Sequence, residues 1–169
     1  MDRVLNIESK PEWDEIEVVR KQVADFLVAH ELLSDDVDAV SMVLCELMEN
    51  AVKYGHYEGA IKLARVAVTL EGDSVIVEVK SPLESYDGEA MGRLDKMIQW
   101  IRGYQDPFQA YLDRLREVSS QSMDSNESGL GLVRIAYEGR SVLDFYVDET
   151  ATLSINAVYT RESASGSGV

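Results

Sequence analysis

Cysteine is nearly absent from this chain: Cys45 stands alone among 169 residues. That excludes an internal disulfide framework and fits a reducing, cytoplasmic setting. Two histidines, His30 and His56, leave too few soft ligands for a structural zinc site. Basic residues are also scarce, 16 Lys and Arg against 31 Asp and Glu, for a net charge of −15. Such acidity argues against nucleic acid and anionic membranes as partners. No apolar run approaches the roughly 20 residues of a membrane-spanning helix. Met1-Asp2-Arg3-Val4 does not open a signal peptide. A cytoplasmic protein is the expectation.

What remains is 46% hydrophobic, enough for one well-packed domain over residues 1–160, with Ser163 to Gly168 in a flexible tail spanning 161–169. Residues 2–8 alternate in polarity and predict a short strand. A helix is expected near 12–30, burying Ile16, Val19, Val23, Phe26 and Leu27. Ser34-Asp35-Asp36 reads as the N-cap of a second helix, with Gly55 as its stop. Alternation over 63–70 and 75–80, about a Gly72-Asp73 turn, predicts a hairpin. Helical spacing then returns in Gly88 to Arg102, through Met91, Leu94, Met97, Ile98 and Ile101. Asp106-Pro107 starts a further helix, with Phe108, Tyr111, Leu112, Leu115 and Val118 on its apolar side. The polar run Ser119 to Asn126 should be mobile. A short helix ending at Gly139 and two strands, near 141–147 and 152–159, complete the chain. Strands in adjacent pairs favour an α+β two-layer sandwich, its mixed or antiparallel sheet covered by helices on one face. The segment of about 84–128 is then a helical insert placed to act as a lid.

The second helix carries the most information. At about 100° per residue, Val40, Val43, Leu44, Leu47, Met48 and Ala51 share one apolar stripe, and Glu46, Asn50 and Lys53 sit beside it. Polar groups at the border of a buried face stand where a ligand could enter between helix and sheet. Glu-x-x-x-Asn suits a phosphate site: the carboxylate serves as base, the amide oxygen as a magnesium ligand. An amphipathic helix with a solvated polar edge gives the same pattern. Downstream, Ser128-Gly129-Leu130-Gly131-Leu132 lies at a loop-to-helix junction, where glycines allow close approach and N–H groups attract phosphate oxygens.

These two motifs, in this order, resemble those of the GHKL ATPase superfamily, with its Bergerat-type fold. Glu46 to Lys53 looks like the N-box and Ser128 to Leu132 like the second glycine box. Small bacterial regulators are the most similar: anti-sigma-factor serine kinases of partner-switching systems and SiaB-like kinases. The resemblance implies ATP and Mg²⁺ as ligands, with Glu46 as base and Asn50 as the metal ligand. Gly129, Leu130 and Gly131 would cradle phosphates, and Lys53 would neutralise one. It also implies a regulatory protein partner of the STAS-like, SiaC-like or sigma-factor-like kind, and allows a homodimer.

One departure stands out. The family's first glycine box supplies an aspartate that reads the adenine amino group. Here the strand Val75 to Val79 runs into Lys80-Ser81-Pro82, which puts Ser81 at that position with no glycine pair after it. Two functions are therefore carried forward. One is a serine/threonine protein kinase of a regulatory switch. The other is a degenerate relative that binds a protein without nucleotide. A sensor histidine kinase is not the expectation, since the 45 residues before Glu46 are too few for a dimerising phosphoacceptor hairpin. Elsewhere, Trp13 and Trp100 read as packing residues, Arg134 and Arg140 as surface cations, and Glu49 as solvated, pointing away from the Glu46–Asn50 edge. Tyr104, Phe108 and Tyr111 read either as partner surface or as buried packing. Cys45, beside Glu46, reads as a structural thiol.

Overall fold

Alternating apolar and polar residues build the strands β1 (Val4–Ser9), β2 (Ala64–Glu71), β3 (Ser74–Pro82), β4 (Ser141–Val147) and β5 (Thr152–Thr160). Helical spacing builds α1 (Trp13–Ala29), α2 (Ser34–Tyr54), α3 (Gly88–Arg102), α4 (Pro107–Ser120) and α5 (Leu130–Tyr137). The computed structural model describes residues 2–58, 63–83, 88–120 and 130–162. Ser128, Gly129, all of the polar run after Ser120 and the tail from residue 163 lie outside the described residues.

The five strands form one sheet in the order β1-β2-β3-β5-β4, and each neighbouring pair is antiparallel. The α+β expectation thus resolves to a purely antiparallel sheet. β2 and β3 close through Gly72-Asp73, and Gly72 takes a φ of 57°, where a side chain would be strained. The β4–β5 turn is held by the Asp148 carboxylate, which accepts from the Thr150 N–H at 2.8 Å and the Thr152 N–H at 3.0 Å.

One sheet face buries Val66, Val68, Val75, Val77, Leu143 and Ala157 against the helices. Val19, Val23 and Leu27 of α1 and the whole predicted stripe of α2 meet them, all of these buried. Each such aliphatic side chain contributes roughly 1.5–3 kcal/mol of transfer free energy. Positions on the other face, such as Asn6, Arg65, Glu78 and Asp144, are polar and half-buried or exposed.

Two expectations change. Ser34 is the first helical residue of α2, and the N-cap position falls to Leu33, which has no side-chain cap. Asp35 and Asp36 in the first turn complement the helix dipole instead. Asp36 is buried there, accepting a 2.5 Å hydrogen bond from the Tyr159 hydroxyl. In α4, Phe108 and Leu115 are exposed, while Ala110 is fully buried. The small side chain takes the fully covered position, and the bulky ones face outward. The Phe108 ring then stacks on Tyr137 at 5.0 Å, and Tyr111 meets the same ring at 5.5 Å.

β3 and β5 are neighbours in the sheet, although α3, α4, α5 and β4 separate them in sequence. The C-terminal end of β3 shares one cavity lining with residues of α2 and α3. Backbone bonds pin this corner: the His56 N–H donates to the Pro82 carbonyl at 2.8 Å, and the Leu83 N–H to that of Ala151 at 2.8 Å.

Candidate functional site

The corner opens into a cavity of about 900 Å³, at the upper end of the range for small-molecule sites. Its floor is apolar: Val79 on β3, Leu153 and Ile155 on β5, Leu47 and Ala51 on α2. Met91, Leu94, Met97 and Trp100 make a wall from α3. Four cations, Lys53, Arg93, Lys96 and Arg114, stand among the lining residues of this strongly acidic chain. Glu46, Glu49 and Glu117 line the cavity as well, Glu117 paired with Arg114 at 2.7 Å; an apolar floor with cations at its border suits a ligand with one flat apolar end and one anionic end.

Glu46, Asn50 and Lys53 all line this cavity, as their spacing on α2 predicts. So does Ser81, buried at the end of β3 opposite Leu153. Gly131, in the first turn of α5, completes the wall beside Glu46. Leu132 lines the cavity, whereas Leu130 packs against the core. The placement of Gly129 lies outside the described residues.

The end of α2 has its own reason for a glycine. Gly55 has extended backbone, and a Cβ there would lie 2.5 Å from both the Ala51 carbonyl oxygen and the Tyr57 ring. That carbonyl instead accepts from the Gly55 N–H at 3.0 Å and the Tyr57 hydroxyl at 2.8 Å. Burial pushes the Tyr57 hydroxyl up to about 12.

Glu46 is the centre of the site's electrostatics. Its side chain is 13% exposed, and its Oε1 accepts from Arg134 Nη1 at 2.5 Å. Arg134 holds Glu138 with its other nitrogens, Nε and Nη2 each at 3.1 Å. Burial raises the pKa of Glu46 above the usual carboxylate value; Arg134 opposes the rise, while Glu49 and Glu138 add to it. A raised pKa suits a group that must take up a proton near neutral pH. Burial likewise raises the Cys45 thiol, away from nucleophilic chemistry.

Four residues differ from their sequence reading. Glu49 is exposed but lines the cavity rather than pointing away; three residues along a helix from Glu46, it is a surface neighbour. Trp13, expected in the core, is 59% exposed at the cavity's edge, and Trp100 is half-buried in its wall. Arg134, read as a surface cation, pairs with Glu46 across 88 residues of sequence. Arg140 also turns inward at its tip, donating to the Tyr159 hydroxyl at 2.7 Å and pairing with Glu162.

Among the described residues no three His, Cys, Asp or Glu side chains cluster to hold a metal. The donors fit a different kind of binding. Mg²⁺ commonly takes one or two protein oxygens and completes its shell with water and substrate phosphates. Asn50 beside Glu46 offers that much and no more.

Comparisons with known proteins bear on the fold and the family. The chain superposes on one from the crystal structure of the SiaB–SiaC complex of Pseudomonas aeruginosa with a TM-score of 0.69. The match covers 92% of this chain and 89% of that one at 24% identity, a likeness of fold. Among curated proteins no match was found. Residues 7–137 match the histidine kinase-like ATPase domain, and the chain therefore belongs to that family.

Proposed function

We propose that this protein binds ATP and Mg²⁺ and phosphorylates a serine or threonine of a regulatory protein partner. The observation that carries the reading is the convergence of Glu46 and Asn50 on one wall of an apolar-floored, cation-bordered cavity. The base would rest on Val79, Leu153 and Ile155, near Ser81. The phosphates would extend toward Asn50, Lys53 and the start of α5. Mg²⁺, held through Asn50 and the phosphates, would supply charge neutralisation. Glu46 takes the proton of the attacking hydroxyl. As the new O–P bond forms at the γ-phosphorus, the bond to the β,γ-bridging oxygen breaks and ADP leaves. Such transfer needs chiefly positioning and charge stabilisation, which these few groups can supply.

Support for a protein partner comes from the similarly folded chain solved in complex with SiaC. A partner of the SiaC-like, STAS-like or sigma-factor-like kind is the corresponding expectation here. The helices α3 and α4 would act as the lid, and a single domain would span 1–160.

A second reading is favoured by Ser81. An alcohol cannot offer the charge-assisted acceptor that an aspartate presents to the adenine amino group. On that reading the cavity is vestigial and the protein acts by binding alone. Calorimetric titration with MgATP, run beside Asn50→Ala, separates the two. Saturating heat in the wild type that is lost in Asn50→Ala supports the kinase. Silence from the wild type at high ATP leaves the binding module.

A further inference from the structure

Gly131 belongs to the motif expected to cradle phosphates, yet its nearest neighbour is a carboxylate. A Cβ at Gly131 would lie 2.6 Å from Glu46 Oε2, and no other atom comes nearer. The other oxygen of the same carboxylate, Oε1, accepts from Arg134 Nη1. Gly131 and Arg134 lie three residues apart on α5, hence on one face of that helix. Glu46 is therefore gripped at both oxygens by one turn of α5: by space on one side, by charge on the other. Glu138 occupies Nε and Nη2 of Arg134, which leaves Nη1 aimed at Glu46. Arg134 itself stands behind the wall, outside the cavity lining to which Glu46 and Gly131 belong.

We propose that Arg134 is a positioning residue. With Gly131 it seats the Glu46 carboxylate at the cavity wall, in the pose from which it receives a hydroxyl proton. The role of that pose rests on the phosphoryl-transfer reading above; the seat itself does not. The seat answers a specific problem. Glu46 is a mostly buried acid whose charged neighbours include Glu49 on its own helix and Glu138 just past the end of α5. Left alone, it would turn toward water. Arg134 supplies the opposing charge from a separate element, so α2 and α5 must both be in place before the carboxylate points into the cavity. Arg134 contributes without touching the ligand.

The experiment follows the carboxyl-carbon NMR signal of Glu46 in isotopically labelled protein, assigned by its loss in Glu46→Gln. Wild type, Arg134→Met and Arg134→Lys are compared at one pH, and each is titrated with MgATP by calorimetry. Arg134→Met is expected to displace the Glu46 signal while that of Glu17, paired with Arg20 on α1, stays. Arg134→Lys should return most of the shift. The ATP dissociation constant should change by no more than about threefold in Arg134→Met while turnover falls at least about tenfold, the signature of a group acting beyond ground-state binding. An unmoved Glu46 signal in Arg134→Met overturns the seat. Loss of ATP affinity with turnover retained makes Arg134 a ligand contact and overturns it equally. A wild type that gives no heat with ATP refutes the nucleotide reading alone, and the Glu46 signal still decides the seat.

Discussion

Adding one methyl group at either of two glycines near α5 should have opposite consequences. At Gly131 the new Cβ meets only the tip of Glu46, with Oε2 at 2.6 Å and Cδ at 3.6 Å. A glutamate has three rotatable bonds, so the carboxylate can retreat by about 0.8 Å and reach ordinary contact at 3.4 Å. Replacing a helical glycine by alanine gains up to about 1 kcal/mol. Weakening a partly exposed ion pair loses about 0–1 kcal/mol. Stability should thus stay within about 1 kcal/mol of wild type, a change in Tm of only about 2–4 °C for a chain of this size. Function should not escape so lightly. On the proposed phosphoryl-transfer reading, a displacement of about 1 Å at Glu46 costs on the order of a hundredfold in rate. At Gly139 the new Cβ would lie 2.5 Å from Val43 Cγ2 and 2.6 Å from the Ile135 carbonyl oxygen. Val43 is fully buried and the oxygen is backbone, so neither can retreat. Overpacking of this kind costs about 1–3 kcal/mol. Thermal melts of Gly131→Ala and Gly139→Ala, with phosphoryl transfer measured on each, test the reasoning. Equal losses of Tm in the two variants, or full turnover in Gly131→Ala, would refute it.

Three further outcomes follow from named contacts. Tyr159→Phe removes the hydroxyl that donates to buried Asp36 and accepts from Arg140; the stranded acceptor should cost about 1–3 kcal/mol, read as a lower urea midpoint at unchanged slope. Burial holds the Tyr57 and Tyr159 hydroxyls up to about 12, whereas unfolded tyrosines deprotonate near pH ~10. The folded state therefore keeps protons that the unfolded state gives up. The stability these groups supply is complete below that pH and drains as pH rises through the folded values. Ultraviolet titration should find at least two late tyrosinates, and the idea fails if all titrate together while the fold persists. Ser81→Asp places a carboxylate at a buried cavity position, which should lower the Tm of the free protein and favour ATP over GTP in calorimetry. Unaltered selectivity would mean that the base does not lie against Ser81.

The parts of this structure legible in the sequence share a physical cause. Burial of one face imposes a period, and the period is written locally. The stripe Val40 to Ala51, the alternation of β2 and β3 and the Gly72 turn could all be read in this way. The same logic placed Glu46 and Asn50 at the edge of a buried face, which is why both line the cavity. The method weakens where proximity rather than bulk decides. In α4 the heavy apolar residues Phe108 and Leu115 carry the hydrophobic signal, but the fully buried position is held by Ala110. It stops altogether at Arg134. On an eight-residue helix a half-exposed arginine beside a glutamate four residues on looks like an ordinary surface pair. Its second partner belongs to another helix, and only the return of α5 to the edge of α2 brings them together. Gly131 carried a signal that could have been read, since a glycine facing a helix edge implies something too close for a methyl group. The motif suggested a phosphate. The nearer object is Glu46, so within this fold Gly131 leaves room for the protein's own carboxylate as directly as it could for a ligand.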